Sequence, residues 1–267
     1  MELVDIQKTA DERKVALDQV GVCDLKYPIT VLDRSKGQQQ TIARVALSVS
    51  LSSEVKGTHM SRFIAVMNNY RGEITMTAIP QILSDLKTKL EAGAAQVSMT
   101  FPYFIEKSAP VSGHKGWLDC ECTFNGESGP QGEKFNMVVK VPVTSLCPCS
   151  KAISDYGAHN QRGEVEMNVS LAGNNGNLPK LWIEELFEVA ESSASAPLYP
   201  LLKRPDERHV TMQAYENPAF VEDIVRNVAV RLRDDERIAS FEIRVTNYES
   251  IHAHNAFAVA RSSSISS

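Results

Sequence analysis

Apolar residues recur with a period of two early in the chain and with a helical period shortly afterwards. Residues 41–51 alternate between apolar and polar, and a strand-like run at 27–32 and a turn at 33–37 precede them. This pattern predicts a β-hairpin with one buried face. The next apolar positions are three and four residues apart, as on the buried stripe of an amphipathic helix. They are Ile79, Ile82, Leu83, Leu86 and Leu90.

The same order of elements is predicted twice. The later elements of the first half are a helical turn at 63–66, the helix at 79–90 and strands at 97–104 and 117–124. Those of the second half are strands at 135–143 and 165–171, helices at 181–190 and 217–232, and strands at 241–245 and 255–260. The repeat predicts an α+β protein of two fused ββααββ modules, with an antiparallel sheet backed on one face by paired helices.

The predicted modules span residues 25–128 and 129–267. Residues 1–24 are polar and show no lasting period, so we expect a loosely attached N-terminal arm. Asn217 and Pro218 are predicted to be the N-cap and the first residue of the last helix. The second module contains most of the candidate catalytic residues.

Composition narrows the possible partners and the compartment. Of the 267 residues, 43% are hydrophobic and 23% charged, as is typical of a globular protein, and the net charge of −5 argues against a nucleic-acid partner. No apolar run approaches the roughly 20 residues of a membrane span, and the acidic N-terminus does not resemble a signal peptide. We therefore expect no membrane partner and a cytoplasmic protein. Its five cysteines, an odd number, are expected to be reduced.

A thiol and an imidazole lie near each other in the sequence, in Cys147-Pro148-Cys149 and at His159. If the segment between them is a loop that returns on itself, both lie at strand ends on one edge of the sheet. Thiolate and imidazole are zinc-type ligands, although a buried thiol and a surface histidine explain the spacing alone at least as well.

The segment that contains Glu249, His252 and His254 favours a functional interpretation. Two histidines two residues apart on an extended chain project to the same face, and four of the six histidines lie in loops of this half. Glu249 would point to the opposite face of a regular strand. It can join the histidines only if a bulge or bend lies between them.

Charged residues at 201–209 would ordinarily form a solvated loop. Lys203 and Arg204 could instead attract an anionic substrate, and Glu207 could be an oxygen ligand. Glu222, near the start of the last helix, is by default a surface charge that complements the helix dipole. As a buried acceptor it could bind the paired N–H donors of a purine or pterin edge.

Five segments together resemble the type IB GTP cyclohydrolases. They are 142–151, 157–162, 202–207, 249–254 and 56–62, and the similarity runs from about residue 20 to 260. The resemblance implies a tunnelling fold (T-fold), a homotetramer with active sites at subunit interfaces, and hydrolysis of GTP to formate and 7,8-dihydroneopterin triphosphate, the entry to folate and related pterins. The Cys-x-x-His-His pattern of the type I enzymes is absent from the sequence, so their ligand set is not transferred.

The resemblance also implies roles for individual residues. Cys147, His159 and Glu207 correspond to ligands of a divalent metal, zinc or manganese, which lowers the pKa of a bound water so that it can attack C8 of the purine. The implied acid–base residues are Glu249, His252 and His254, although Glu249 or His252 could bind the metal instead. Glu222 corresponds to the guanine anchor. The candidate triphosphate contacts are Lys203, Arg204, Arg62 and His59, the last two from another subunit.

Two alternatives stay open on the sequence. One is another tunnelling-fold enzyme, such as the nitrile reductase of queuosine biosynthesis, which uses a cysteine nucleophile and NADPH. The other is a pterin- or purine-binding protein without catalysis. Metal content and NADPH consumption would distinguish the two enzymes.

Overall fold

The computed structural model describes residues 5–70, 78–172 and 179–264. The strands are β1 (Leu17–Asp33), β2 (Gly37–Leu51), β3 (Ala95–Ser108), β4 (Lys115–Gly129), β5 (Gly132–Leu146), β6 (Asn160–Leu171), β7 (Ala196–Pro197), β8 (Ile238–Asn247) and β9 (Ala256–Arg261). The helices are α1 (Met60–Asn68), α2 (Ile79–Leu90), α3 (Pro148–Ile153), α4 (Ile183–Ser193), α5 (Arg204–Glu216) and α6 (Val221–Arg233).

Within the described residues, nine strands form one sheet in the order β1-β2-β3-β4-β5-β6-β8-β9, and β7 pairs with β5. Neighbouring strands pair in antiparallel fashion, as β1 does with β2, β2 with β3, β6 with β8 and β8 with β9. In sequence, α1 and α2 separate β2 from β3, and α4 to α6 separate β6 from β8. The predicted α+β class and antiparallel sheet are confirmed.

Contacts divide the chain into two compact units. Unit 1 consists of the described residues of 1–101 and 123–136. Its predicted hairpin is present, and the turn is held by Asp33, whose Oδ1 accepts hydrogen bonds from the N–H groups of Ser35 and Lys36 at 2.8 and 2.7 Å. The predicted stripe of α2, from Ile79 to Leu90, is buried at all five positions.

Unit 2 consists of the described residues of 102–122, 137–172 and 179–267. Helix α4 buries the predicted stripe Ile183, Leu186, Phe187 and Ala190. Helix α6 buries Val221, Ile224, Val225, Val228 and Leu232, also as predicted. Both helices therefore place their apolar faces in the core of this unit.

The predicted N-terminal arm is too long. Strand β1 begins at Leu17, so residues 17–24 belong to the sheet, and residues 1–4 lie outside the described residues. The first part of β1 is mostly exposed on both faces and has register shifts, so its sequence lacks the alternation by which a strand is predicted. This part of β1 is held in the sheet by its backbone pairing with β2, which leaves no apolar pattern in the sequence. The preceding residues are attached through the N–H groups of Lys56 and Gly57, which donate to Thr9 O and Gln7 O at 3.0 and 3.1 Å.

Two predictions around the last helices are wrong. Residues 204–216, within and beyond the predicted charged loop, form helix α5, and α6 begins at Val221 with Phe220 as its N-cap rather than at Asn217. Helix α5 buries only Asp206 and Ala214, so its sequence has no apolar stripe from which a helix could be predicted. Pro218 lies in the connector between the two helices.

The module boundaries at 24/25 and 128/129 stay a prediction, because the two units are defined by contacts and not by internal repetition. The boundary at 128/129 falls at the end of β4, just before β5 begins at Gly132. None of the helices in the described ranges combines the length and the apolar character required to cross a bilayer.

Candidate functional site

The candidate thiol and imidazole lie at the two ends of one short loop in unit 2. Cys147 follows β5 and is the N-cap of α3, where its Sγ accepts a hydrogen bond from the N–H of Ser150 at 3.4 Å. The Cys147 N–H donates to His159 O at 3.1 Å, and the His159 N–H donates to Ser150 Oγ at 3.3 Å. The loop does return on itself, and both residues are partly buried.

Helix α5 packs against the base of this loop. Leu146 and Ala158, which directly precede the thiol and the imidazole, belong to one apolar cluster with Val210 and Ala214 of α5. Glu207 is three residues before Val210 and seven before Ala214, which places it on the same stripe of the helix. Its side chain is exposed in the first turn of α5.

A row of buried polar groups leads away from His159. Its Nδ1 is 2.9 Å from Gln161 Oε1 and 3.4 Å from Ser250 Oγ. Gln161 Nε2 donates to Ser145 Oγ at 3.5 Å, and Asn247 Nδ2 donates to the same oxygen at 3.0 Å. Ser145 Oγ donates to Ala219 O at 2.9 Å.

The sequence predictions missed Ser145, Gln161 and Asn247. All three lie on buried strand positions, where Ser145 and Asn247 continue the apolar alternations of β5 and β8 and Gln161 begins that of β6. A polar residue in register with a buried apolar stripe must find hydrogen-bond partners. That break in the pattern was the signal available in the sequence.

The proposed acid–base segment is a bend between β8 and β9 and not an extended strand. The exposed rings of His252 and His254 stack, with centroids 5.2 Å apart and planes at 15°. Glu249 is half-buried, and within the described part of the chain its Oε2 is buried without a hydrogen-bond partner. The bend that a joint action with Glu249 requires is therefore present.

The predicted substrate contacts are divided between the units. In unit 2, Lys203 is the N-cap of α5, Arg204 starts that helix, and Glu222 is exposed in the first turn of α6. In unit 1, His59 Nε2 is 3.1 Å from Asp5 Oδ2, and Arg62 donates to Lys89 O at 3.1 Å.

Asp206 fixes the start of α5. It is fully buried, and its carboxylate accepts hydrogen bonds from the N–H groups of Val111, Ser112 and Lys203, each at 2.8 Å, and from Ser112 Oγ at 2.7 Å. Burial alone would raise the pKa of Asp206, but these hydrogen bonds outweigh it and hold the pKa well below its usual range. The ionised carboxylate thereby positions the helix turn that contains Arg204 and Glu207.

The donor chemistry fits a zinc-type metal ion. Cys147 offers a sulfur donor, and His159 offers an imidazole nitrogen while its Nδ1 is engaged by Gln161. No group of three or more His, Cys, Asp or Glu side chains is close enough to bind a metal within the ranges that the structure describes. Glu207 does not form a metal-binding group with Cys147 and His159 in this conformation. Its assignment as the third ligand therefore stays a prediction.

The other four cysteines are also free thiols. Cys149 is exposed on α3, within this loop, and the remaining three lie outside it. Cys120 and Cys122 are buried in β4 with their sulfur atoms 3.8 Å apart. Burial raises the pKa of the Cys122 thiol, which keeps it protonated and unreactive. These two residues contribute to the core.

Solved structures identify the class of protein. Uricase from Arthrobacter globiformis has a TM-score of 0.51 and 9% identity, covering 93% of this chain and 94% of that chain. A uricase from Bacillus fastidious has a TM-score of 0.52 and 9% identity, covering 94% of both chains. At such identities the likeness shows the fold alone. The fold is that of the T-fold proteins, and the candidate thiol and imidazole lie at the two ends of one of its loops.

Sequence similarity identifies the family within this class. A family model described as Type I GTP cyclohydrolase folE2 matches residues 3–258. GTP cyclohydrolase FolE2 of Geobacter sulfurreducens is 49% identical over 256 residues, which cover 95% of this chain and 96% of that protein. The protein of the same name from Nitrosococcus oceani is 45% identical over 255 residues, with 96% and 93% coverage. The chain belongs to the GTP cyclohydrolase FolE2 family, and the family resemblance of the five segments is confirmed.

Proposed function

We propose that this protein is a GTP cyclohydrolase that converts GTP and water to formate and 7,8-dihydroneopterin triphosphate, the first step of folate biosynthesis. The observation that carries the proposal is the family match, which extends over residues 3–258 and includes the loop with Cys147 and His159. The fold alone could not support it, because T-folds with the same architecture include uricases.

Cys147 and His159 would hold a divalent metal, zinc or manganese, with Glu207 as the third protein ligand. Support comes from the hydrogen bonds that join both ends of the loop and from the contact of α5 with the residues next to them. When bound, such an ion supplies a Lewis acid for the hydrolytic steps.

Glu249, His252 and His254 would move protons during ring opening and closure. An imidazole has an ordinary pKa of about 6.5 and can therefore both accept and release a proton near neutral pH. The two histidines are exposed and adjacent, so a substrate can reach both. Glu249 Oε2, buried without a partner in the described residues, is a natural acceptor for a substrate or histidine N–H.

Glu222 would anchor the guanine, and four basic side chains would bind the triphosphate. A carboxylate can accept hydrogen bonds from two neighbouring N–H donors of a purine edge. Because the whole chain has a net charge of −5, a triphosphate needs a local cluster of positive groups. The proposed groups are Lys203, Arg204, Arg62 and His59. We place Arg62 and His59 from a neighbouring copy in a homotetramer and locate the enzyme in the cytoplasm.

The direct test is to incubate the purified protein with GTP and either Zn²⁺ or Mn²⁺. Formate should be released, and oxidation of the second product should yield a fluorescent pterin. Metal-free protein treated with a chelator is the matched control for metal dependence. Absence of both products with both metals would refute the proposed function.

A further inference from the structure

Three neighbouring elements of the site each place one polar side chain on a buried face. Ser145 of β5 is 1% exposed, Gln161 of β6 is 8% exposed and Asn247 of β8 is 3% exposed. A buried polar side chain is costly unless its donors and acceptors are matched. The directions of the hydrogen bonds among these groups follow from which of their atoms can donate and which can only accept.

The carbonyl of Ala219 determines which way the hydroxyl of Ser145 donates its hydrogen bond. A carbonyl can only accept, so the hydroxyl of Ser145, 2.9 Å away, must donate its one proton to it. That carbonyl is fixed in place, because the N–H of Ala219 donates to Leu146 O at 3.0 Å. Ser145 Oγ can then only accept from its other neighbours.

The orientation of the Gln161 amide determines which ring nitrogen of His159 bears the proton. Its side chain must present the NH₂ group to Ser145 Oγ, at 3.5 Å, and the amide oxygen consequently faces His159. Since that oxygen is 2.9 Å from Nδ1 and cannot donate, Nδ1 must bear the proton. In the neutral ring the lone pair is then on Nε2.

Ser250 does not reverse this assignment. Its hydroxyl is 3.4 Å from the same Nδ1, a longer contact than that of Gln161. If Ser250 donated to an unprotonated Nδ1, the oxygen of Gln161 would face a lone pair at 2.9 Å, and turning the amide would break its bond to Ser145.

We propose that Gln161, oriented by Ser145, is a positioning residue that keeps neutral His159 in the Nδ1–H form and so presents Nε2 for metal binding. The metal part rests on the proposed function. The tautomer itself is a property of the metal-free protein and can be measured separately.

The first experiment measures the tautomer by NMR. Metal-free protein with ¹⁵N-labelled histidine is studied above the ordinary imidazole pKa of about 6.5, and His159 is assigned by comparison with His159→Asn. The wild type should show protonated Nδ1 and bare Nε2. Gln161→Met, which removes the acceptor at nearly constant volume, should shift His159 towards the Nε2–H form. Gln161→Glu loses the donor to Ser145 but keeps an acceptor next to Nδ1, and should preserve the wild-type tautomer.

The second experiment measures binding of Co²⁺ by its absorption spectrum. Loss of an outer hydrogen-bond partner typically weakens metal binding by roughly 10–100-fold, which is the loss expected for Gln161→Met. Gln161→Glu should restore most of the affinity. Ser145→Ala should show a smaller loss of Co²⁺ affinity than Gln161→Met. In the NMR experiment, Ser250→Ala should keep the wild-type tautomer of His159.

Protonated Nε2 in the wild type would overturn the proposal, whatever the variants do. An unchanged tautomer and unchanged Co²⁺ affinity in folded Gln161→Met would also overturn it. If the tautomer and Co²⁺ binding follow the expectation but GTP is not converted, the proposed function fails while the role of Gln161 stands.

Discussion

Single buried polar residues determine much of the local geometry around the site. Asp206 accepts four hydrogen bonds, including one from the N-cap of α5 and three from residues 111–112. A hydrophobic residue of the same size could not satisfy the N–H groups at this helix start. The carboxylate therefore stabilises the turn that contains two proposed site residues, Arg204 and Glu207.

Replacement of Asp206 by Asn should destabilise the protein in a pH-dependent way. The folded-state pKa lies below the ordinary value of about 3.9, so ionised Asp206 stabilises the folded protein above that pH, and this contribution is lost as the pH falls towards the lower folded-state pKa. Urea unfolding should therefore show a larger difference between wild type and Asp206→Asn at pH 7 than at about pH 3.5. Asp119→Asn, at an exposed position of β4, is the matched control. A difference that does not vary with pH would contradict this expectation.

Replacement of Cys147 by Ser should separate function from folding. The smaller hydroxyl can still accept the Ser150 N–H at the start of α3, so the loop should keep its fold. Hydroxyl is a poor substitute for a thiolate ligand, and we expect turnover of GTP and Co²⁺ affinity to fall more than about 100-fold, beyond the range for outer residues. Circular dichroism and the melting temperature provide the check on folding. Cys149→Ser is the control, and near-normal turnover in Cys147→Ser would exclude the thiol from the site.

At the scale of elements, periodicity predicted the parts of the fold that bury an apolar face. Helix α2 buries all five predicted positions, and β5 and β8 show the expected alternation. Helix α5 was missed because it is attached through Asp206 and a small cluster around Ala214 rather than through an apolar stripe. Such polar attachments depend on partners distant in sequence, which no local pattern contains.

The close packing of α2 against the sheet should depend on Gly126 of β4. A Cβ at this position would lie 2.3 Å from Ile79 Cγ2 and 3.0 Å from Val97 Cγ1, both in the core. Gly126→Ala should lower the free energy of unfolding by about 1–3 kcal/mol, as overpacked cores do. Gly93→Ala, whose Cβ would have its nearest neighbour at 3.8 Å, is the control and should be neutral or slightly stabilising. Equal stabilities in urea would show that α2 adjusts without cost.

At the scale of the whole molecule, the structure confirms one predicted contact around the candidate site and leaves the proposed metal ligands apart. The thiol and imidazole were expected at neighbouring strand ends, and the structure joins them through the N–H of Cys147 and His159 O. It does not bring three metal-binding side chains together in the described ranges of the single chain. His59 and Arg62 belong to unit 1, whereas Cys147 belongs to unit 2. Which side chains of distant segments come together depends on tertiary structure, which spacing along the chain does not encode.

The proposal that copies share an active site makes a quantitative prediction for mixed assemblies. Arg62→Ala and Cys147→Ser should each be inactive alone, because each lacks one proposed component. If Arg62 acts on the site of a neighbouring copy, random mixing of equal amounts should combine an intact Arg62 with an intact Cys147 in about a quarter of the sites. Co-expression with two different affinity tags, followed by sequential purification, isolates the mixed assemblies for a GTP assay. A mixture of the separately purified variants, tested before subunits exchange, is the control. Mixed assemblies as inactive as their parents would show that both residues must come from the same chain.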